Sequence, residues 1–349
     1  MSSPATTNTT TRAKGPSVAR GVLGSLRGLV LVPIILLVGA WAAVFVPAFF
    51  TFNNIVNNIL IAATFLGVVT IAETIMLLGG YMDVSLQSLV GLGPMLAAWL
   101  ALPAAKGGLG VELDPFLALA IMFGLGALVG LVNGLMVAKL RLPAFIVTLA
   151  MLILLQGFTL GISGGQTLSG LPVPMLFVGT TKLAGVPLSV WLMLGSFALA
   201  AIFMRYHPTG RRIYALGGNA EAARAAGVRT QRLTIGLFVM GGLMACFGGL
   251  LLTARIASVT ASQGANLIFT VFAAAVIGGV SLNGGRGSIM GAFTGVILLG
   301  MIQNILVLSD VPSYWIDATY GAIILGALLV GSAELRTTIL RPFRNPRAA

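Results

Sequence analysis

The chain has 349 residues, of which 58% are hydrophobic and 8% charged, whereas an ordinary soluble domain carries roughly a quarter charged residues; so few charges cannot cover a water-exposed surface. The net charge of +12 does not mark a nucleic-acid binder, which needs a folded basic face interleaved with stacking aromatics. Instead Arg12, Lys14, Arg20 and Arg27 precede the first apolar run, Arg205, Arg211, Arg212, Arg224, Arg229 and Arg232 share one central loop, and Arg336, Arg341, Arg344 and Arg347 close the chain, as the positive-inside rule requires of a polytopic membrane protein.

The Ser/Thr-rich stretch from Met1 to Thr11 buries too little apolar surface to order itself, so residues 1–27 read as a disordered, basic, cytoplasmic segment. The run from Gly28 to Phe50 is longer than a signal-peptide core and reads as a retained first span. Apolar runs bounded by Gly, Pro or charge place further spans at Ile55 to Leu78, Leu86 to Leu102, Phe116 to Val137 and Ala144 to Ile162. The second half continues at Leu188 to Met204, Leu233 to Ala254, Leu267 to Val280, Ile289 to Leu308 and Tyr314 to Val330, the eighth being too short to cross unaided. At ~20 residues per crossing the expectation is an all-α transmembrane bundle of about ten spans over residues 28–332.

With both termini cytoplasmic, the Lys139/Arg141 turn, the coupling loop 205–232 and the basic tail 333–349 all fall inside. Glu112, Asp114, Asp310 and the stretch from Gly164 to Pro187 fall outside. An odd number of spans puts one basic cluster on the wrong side. The turn from Asn133 to Pro143 resembles that from Asn304 to Pro312, and the charge flips from Lys139/Arg141 to Asp310 with the side, as an inverted-topology repeat demands; chance similarity between two apolar segments is the competing reading.

Many of the 46 glycines lie within spans, Gly124, Gly126, Gly130, Gly241, Gly242, Gly291 and Gly295 among them, where small residues let helices approach closely. Others break spans, at Leu78 to Asp83 and at Gly278 to Gly287. Irregular backbone at membrane depth persists only against protein or a water-filled cavity, so both breaks are candidates to line a pathway. Cys246 and His207 are single residues of their kinds, which leaves no disulfide framework or Cys/His-rich metal site. No catalytic triad, His-Glu-x-x-His or phosphate-binding loop occurs; the expectation is a chain without catalytic residues, metal or cofactor of its own.

The central loop contains Gly217-Gly-Asn-Ala-Glu-Ala-Ala-Arg-Ala-Ala-Gly227. Asn219 caps a short helix, Glu221 complements its positive end, Ala222, Ala223 and Arg224 fill the middle, and Gly227 suits the residue after its end. At about 11 Å such a helix is too short to stand alone in water. It docks either on a partner or on the protein's own cytoplasmic face.

That loop resembles the coupling helix of ABC-importer permeases, and the chain from about Ile55 to Val330 is similar to their ribose, xylose and galactose family. The family's Gly-Gly-x-Asp-Leu-Ser-Val-Gly-Ser element appears as Gly80-Tyr-Met-Asp83-Val-Ser85-Leu-Gln87-Ser88, its Asn-Gly-x-x-Val…Leu-Pro-x-Phe-Ile-x-Thr-Leu stretch as Asn133 through Leu149, and its Gly-Gly-x-Ser-Leu-x-Gly-Gly-x-Gly element as Gly278 through Gly287. Tyr81 and Gln87 stand where the family carries glycine, which implies either a differently shaped route or merely different packing.

The resemblance implies a bacterial inner-membrane permease working as a homodimer. Cytoplasmic ATPase domains that bind ATP and Mg grip Asn219 to Gly227, and an extracytoplasmic solute-binding protein delivers a sugar or polyol. Candidate pathway residues are Glu73, Tyr81, Asp83, Ser85, Gln87, Asn133, Gln156, Asn266, Ser281, Asn283 and Asn304; polar groups in apolar runs, such as Gln156 and Asn266, more often bond between helices. Buried carboxylates at membrane depth cost several kcal/mol, so Glu73 either pairs with an arginine or lines an inner cavity. The alternatives are a proton- or sodium-coupled carrier using Glu73 or Asp83, and an ABC permease for nucleosides or branched-chain amino acids.

Overall fold

The structure is a computed structural model that describes residues 31–331. The basic segments at both ends, including the disorder expected of 1–27 and the tail 333–349, lie outside the described residues. Thirteen α-helices follow in chain order among the described residues: α1 Val32–Phe45, α2 Ile61–Leu78 continuing a π-helical segment Asn54–Leu60, α3 Leu86–Ala101, α4 Pro115–Ala138, α5 Ala144–Ser163, α6 Val173–Thr180, α7 Leu188–Tyr206, α8 Pro208–Gly218, α9 Ala220–Ala225, α10 Thr230–Ile256, α11 Leu267–Ile277, α12 Ile289–Leu308 and α13 Ser313–Gly331. Six spans, Asn54–Leu78, α4, α5, α7, α10 and α12, are long and apolar enough to cross a membrane, and α1, α3 and α11 are shorter apolar helices.

Local chemistry sets the boundaries. Asp114 accepts from the amides of Phe116 and Leu117 at 3.0 and 3.2 Å, with Pro115 next, so α4 starts there. Ser288 caps α12 through the amide of Gly291 at 3.0 Å. Gly164, at φ +58°, ends α5 in the left-handed conformation glycine tolerates.

One departure from an all-α chain lies in the expected outer stretch and the loop after α10. Four two-residue strands occur among the described residues: β1 Leu168–Ser169 pairs antiparallel with β4 Ser258–Val259, and β2 Lys182–Leu183 with β3 Val186–Pro187. The latter hairpin turns on Ala184 and Gly185, at φ +52° and +77°, the two-residue turn whose twist suits paired strands.

The hydrophobic core gathers around α2, whose most apolar window is 78% buried, with α12 at 61% and α10 at 56%; α4, α5 and α7 lie between 22% and 28% and form the periphery. Helix α2 packs on α7, α10, α11 and α12, while α10 packs on α2, α3, α4 and α6. The α4–α10 crossing is a backbone-to-backbone contact built on Gly126, Gly130 and Gly134, one residue in four. A β-carbon on Gly126 falls 2.5 Å from the Gly242 carbonyl oxygen, one on Gly130 lies 2.2 Å from that of Phe238, and one on Gly242 lies 2.0 Å from that of Gly126. Gly291 and Gly295 likewise seat α12 against Gly278 and Ala274. Among the described residues a β-carbon on Gly124 meets nothing within 4 Å and one on Gly241 only a leucine methyl, so not every span glycine serves close approach.

Gly242→Val is expected to cost about 1–3 kcal/mol through overpacking, whereas Gly236→Ala on the same helix, where nothing lies within 4 Å, leaves stability near wild type. Thermal unfolding of the two purified variants in detergent checks the contrast.

Candidate functional site

The central loop folds into two helices. The second, α9, is the short helix read from the sequence: Asn219 is extended and its Oδ1 accepts from the amide of Ala222 at 2.9 Å. Gly227, at φ +83°, follows the helix, and its amide bonds to the Arg224 carbonyl while that of Val228 bonds to Ala223. Ala223 is buried, whereas Glu221, Ala222 and Arg224 are exposed. Helix α9 therefore rests on its own protein through Ala223 and leaves an outer face free.

Helix α8 has no counterpart in the sequence reading, because Pro208 and Gly210 look like breakers. Proline is suited to the first turn of a helix, His207 Nδ1 accepts from the Thr209 amide at 3.3 Å, and Gly210 fits where a β-carbon meets the Met204 carbonyl oxygen at 2.5 Å. Helix α8 buries Gly210, Ile213 and Leu216 and exposes Arg211 and Arg212. Tyr214 donates to the Gly287 carbonyl at 3.1 Å, and burial pushes its phenol above the ordinary value, so it stays a donor.

The last turn of α8, leading into α9, passes through Gly217, where three backbones meet. A β-carbon there falls 2.0 Å from the Leu78 carbonyl oxygen and 2.7 Å from the Gly285 amide nitrogen, and that amide donates to the same Leu78 carbonyl at 3.0 Å. Gly80 and Gly284 are both left-handed, at φ +82° and +84°. Their β-carbons would reach the Cα of Gly217 at 3.3 Å and its oxygen at 2.7 Å. Gly285 lies as tightly on Gly218, 2.7 Å from its Cα. The break after α2, the break after α11 and the neck of α9 are thus in direct contact. Sequence reasoning did not single out Gly217, Gly284 and Gly285 as site residues; the available signal is a Gly-Gly pair at each place, Gly79-Gly80, Gly217-Gly218 and Gly284-Gly285.

The first break climbs back into the core before α3 begins. Tyr81 bonds through its amide to the Met76 carbonyl and through its hydroxyl to Thr234 Oγ1 at 2.9 Å, with its ring tilted on Phe238. Behind it Glu73, Asp83, Ser85 and Asn133 come together in the interior. The Asp83 amide donates to Glu73 Oε1 at 3.3 Å, the Ser85 amide and hydroxyl both donate to Asp83 Oδ1, and Asn133 Nδ2 donates to Ser85 Oγ at 3.0 Å. All four residues are buried. Glu73 is fully buried, with Asp83 as its charged neighbour and no arginine paired with it among the described residues.

The remaining candidates separate into three places. Ser281 and Asn283 lie in the second break, where the Asn283 amide donates to Ser281 Oγ at 3.2 Å. Asn304 is in a buried pair with Asn54, donating and accepting at 2.9 and 2.8 Å between α12 and the π-helical segment. Gln87 and Gln156 line one polar niche together with Ser262 and Gln263, a residue sequence reasoning passed over. Asn266, at φ +62°, precedes α11, whose Ile268 amide donates to Gln87 Oε1 at 3.4 Å.

Residues 55–332 match the family described as branched-chain amino acid transport system / permease component. The chain is similar to the ribose import permease protein RbsC of Escherichia coli (strain K12), 36% identical over 298 residues that cover 82% of this chain and 88% of that protein. It is also similar to RbsC of Haemophilus influenzae, 32% identical over 292 residues, 81% of this chain and 86% of the relative. The autoinducer 2 import system permease protein LsrC of Yersinia enterocolitica is 34% identical over 288 residues, 82% of this chain and 78% of the relative. No solved structure shows a significant match.

A methyl group on Gly217 must push Leu78 and Gly285 apart. Gly217→Ala is therefore expected to speed amide exchange in both breaks by roughly tenfold or more, about 1.4 kcal/mol of local opening, while α4 exchanges as in the wild type. Hydrogen–deuterium exchange mass spectrometry of the two proteins measures it.

Proposed function

The chain belongs to the ABC-import permease family described as branched-chain amino acid transport system / permease component, and from that premise we propose that it moves a sugar or sugar-like polyol driven by ATPase subunits gripping α9. It is a membrane-embedded permease component. In the reading advanced here a second copy completes the pathway at a two-fold axis, a solute-binding protein delivers the solute outside, and ATP and Mg reside on the ATPase. The junction at Gly217 carries this reading. A force on α9 has a direct backbone route, with no flexible side chain between, into both broken spans.

The sugar comes from the relatives, whose names specify ribose and autoinducer 2 import. The polar groups at the open niche are amides and hydroxyls, which suits a neutral, hydroxyl-rich solute.

The topology that fits is ten crossings with both ends cytoplasmic, arranged as an inverted repeat. Helices α3, α4 and α5 pack on one another, as do α11, α12 and α13. Each group is completed by a helix from the other half, α10 for the first and α2 for the second. The two turns noted in the sequence share a backbone device: Arg141 and Asp310 are left-handed at φ +57° and +55°, each two residues before a proline. These support the repeat, and with it the placement of α8 and α9 inside and of β1 to β4 outside. Residues 28–332 then form the permease domain.

Proteoliposomes holding the permease, its ATPase and its binding protein test the reading. Uptake that needs ATP hydrolysis and persists with an ionophore is expected; uptake that survives loss of the ATPase and collapses with an ionophore contradicts it. Within this assay Glu221→Arg and Gly227→Pro are expected to lower ATP-driven uptake roughly tenfold or more, since a helix-end charge reversal and an imposed φ near −65° each disturb the docking helix by an energy of that order. Both variants remain in the membrane fraction.

A further inference from the structure

The niche shared by Gln87, Ser88, Gln156, Thr159, Ser262 and Gln263 lies well within the length of α5. Ser88 Oγ donates to the Leu152 carbonyl at 2.9 Å, a point about 12 Å along α5 from Ala144 at 1.5 Å per residue. Gln263 closes its inner end. Its Nε2 donates to the carbonyls of Val90 and Gly249 at 3.0 and 3.4 Å and lies 3.0 Å from Thr253 Oγ1. Two carbonyl acceptors fix which end of the amide faces them, so Oε1 points the other way. That oxygen is buried and has no hydrogen-bond partner among the described residues, and Gln263 as a whole is only 8% exposed. A buried acceptor left unmade costs about 1–3 kcal/mol, so the site calls for a donor.

The kind of donor follows from what surrounds it. No charged side chain lines the niche. The amide ends of the nearby helix α11 are already taken: Leu267 bonds to Gly264, Ile268 to Gln87 and Phe269 to Asn266. At the start of α3 the Ser85 amide is likewise taken, by the Asp83 carboxylate. A zwitterionic amino acid finds neither a countercharge nor free amides here. The niche holds about 10 Å³ of space for a water-sized group, enough for one hydroxyl or one water. Towards the outside the niche opens at Gln156 and Ser262, both exposed. An exposed glutamine at membrane depth is unfavourable against lipid, which points this face towards water or the second subunit.

We infer that Gln263 Oε1, with Gln87 and Gln156 at its approach, forms a subsite within the membrane that accepts a hydrogen bond from one hydroxyl of a neutral polyhydroxylated solute in transit. The inference rests on the permease reading and adds selection at a residue of this chain to whatever the binding protein contributes. A trapped water is the competing occupant, and it does not discriminate among solutes.

The full assembly in proteoliposomes is assayed for uptake of D-ribose and of its single-position deoxy analogues. For each sugar the ratio of variant to wild type is taken at saturating binding protein, so that recognition by that protein cancels. Gln263→Met removes the acceptor. Gln156→Leu, at the exposed rim, alters the approach without touching the Val90 and Gly249 bonds, and it decides alone where Gln263→Met does not insert. The expected result is a ratio reduced roughly five- to tenfold for ribose, about one hydrogen bond, that returns towards one for the single analogue lacking the contacted hydroxyl. An equal ratio for every sugar in the inserted variants assigns the niche to packing or water and overturns the subsite while leaving the permease reading intact. A wild-type assembly that takes up none of these sugars overturns the sugar reading itself, and the subsite with it.

Discussion

Three stretches of main chain meet at Gly217 with no space for a single β-carbon, and the arrangement of the cytoplasmic end depends on that contact. A left-handed glycine on each side, Gly80 and Gly284, bends its break into the neck of α9. The Gly285 amide then closes on the Leu78 carbonyl and joins the two breaks to each other. Contacts between backbones are stiffer than contacts through long side chains, because no rotamer can absorb a displacement. A short helix that cannot stand alone thereby becomes the handle of both halves of the bundle.

The bilayer imposes the second constraint: every amide and carbonyl of the broken spans needs a partner inside the protein. The first break meets it with side chains. Glu73 accepts the Asp83 amide, Asp83 accepts the Ser85 amide, and Thr148 accepts the Val84 amide. Near the start of α11 the partner is Gln87, which takes the Ile268 amide. Polar residues at membrane depth thus divide between those that complete the backbone and those, such as Gln156 and Ser262, that remain open on the niche. The Asn54–Asn304 pair instead bonds side chain to side chain, joining α12 to the π-helical entry of α2.

The spans were legible because hydropathy and chain breaks act locally: α4, α5 and α12 begin and end within about a residue or two of where apolar runs meet Pro, Gly or charge. The left-handed Gly227 and the cap at Asn219 were legible for the same reason. Helix α8 was not, since Pro208 and Gly210 stop a helix in its middle and start one at its edge, and only the packing on Met204 tells which applies. Nor was the meeting of Gly80, Gly217 and Gly284, because contacts between residues so far apart leave no periodic trace. Gln263 carries no such signal, because nothing in its loop says where its amide will point, whereas Gln156 is a polar break in an apolar run and Gln87 stands where the family carries glycine.

A junction of this kind makes α9 and both breaks move as one body. Spin labels on Ala222 in α9, Asn283 in the second break and Met82 in the first, each measured against a label on the exposed Leu199 of α7, test it by pulsed electron resonance in the assembled transporter. All three distances to Leu199 are expected to change together between the nucleotide-free and ATP-trapped states. A shift of Ala222 that leaves Asn283 and Met82 where they were contradicts it.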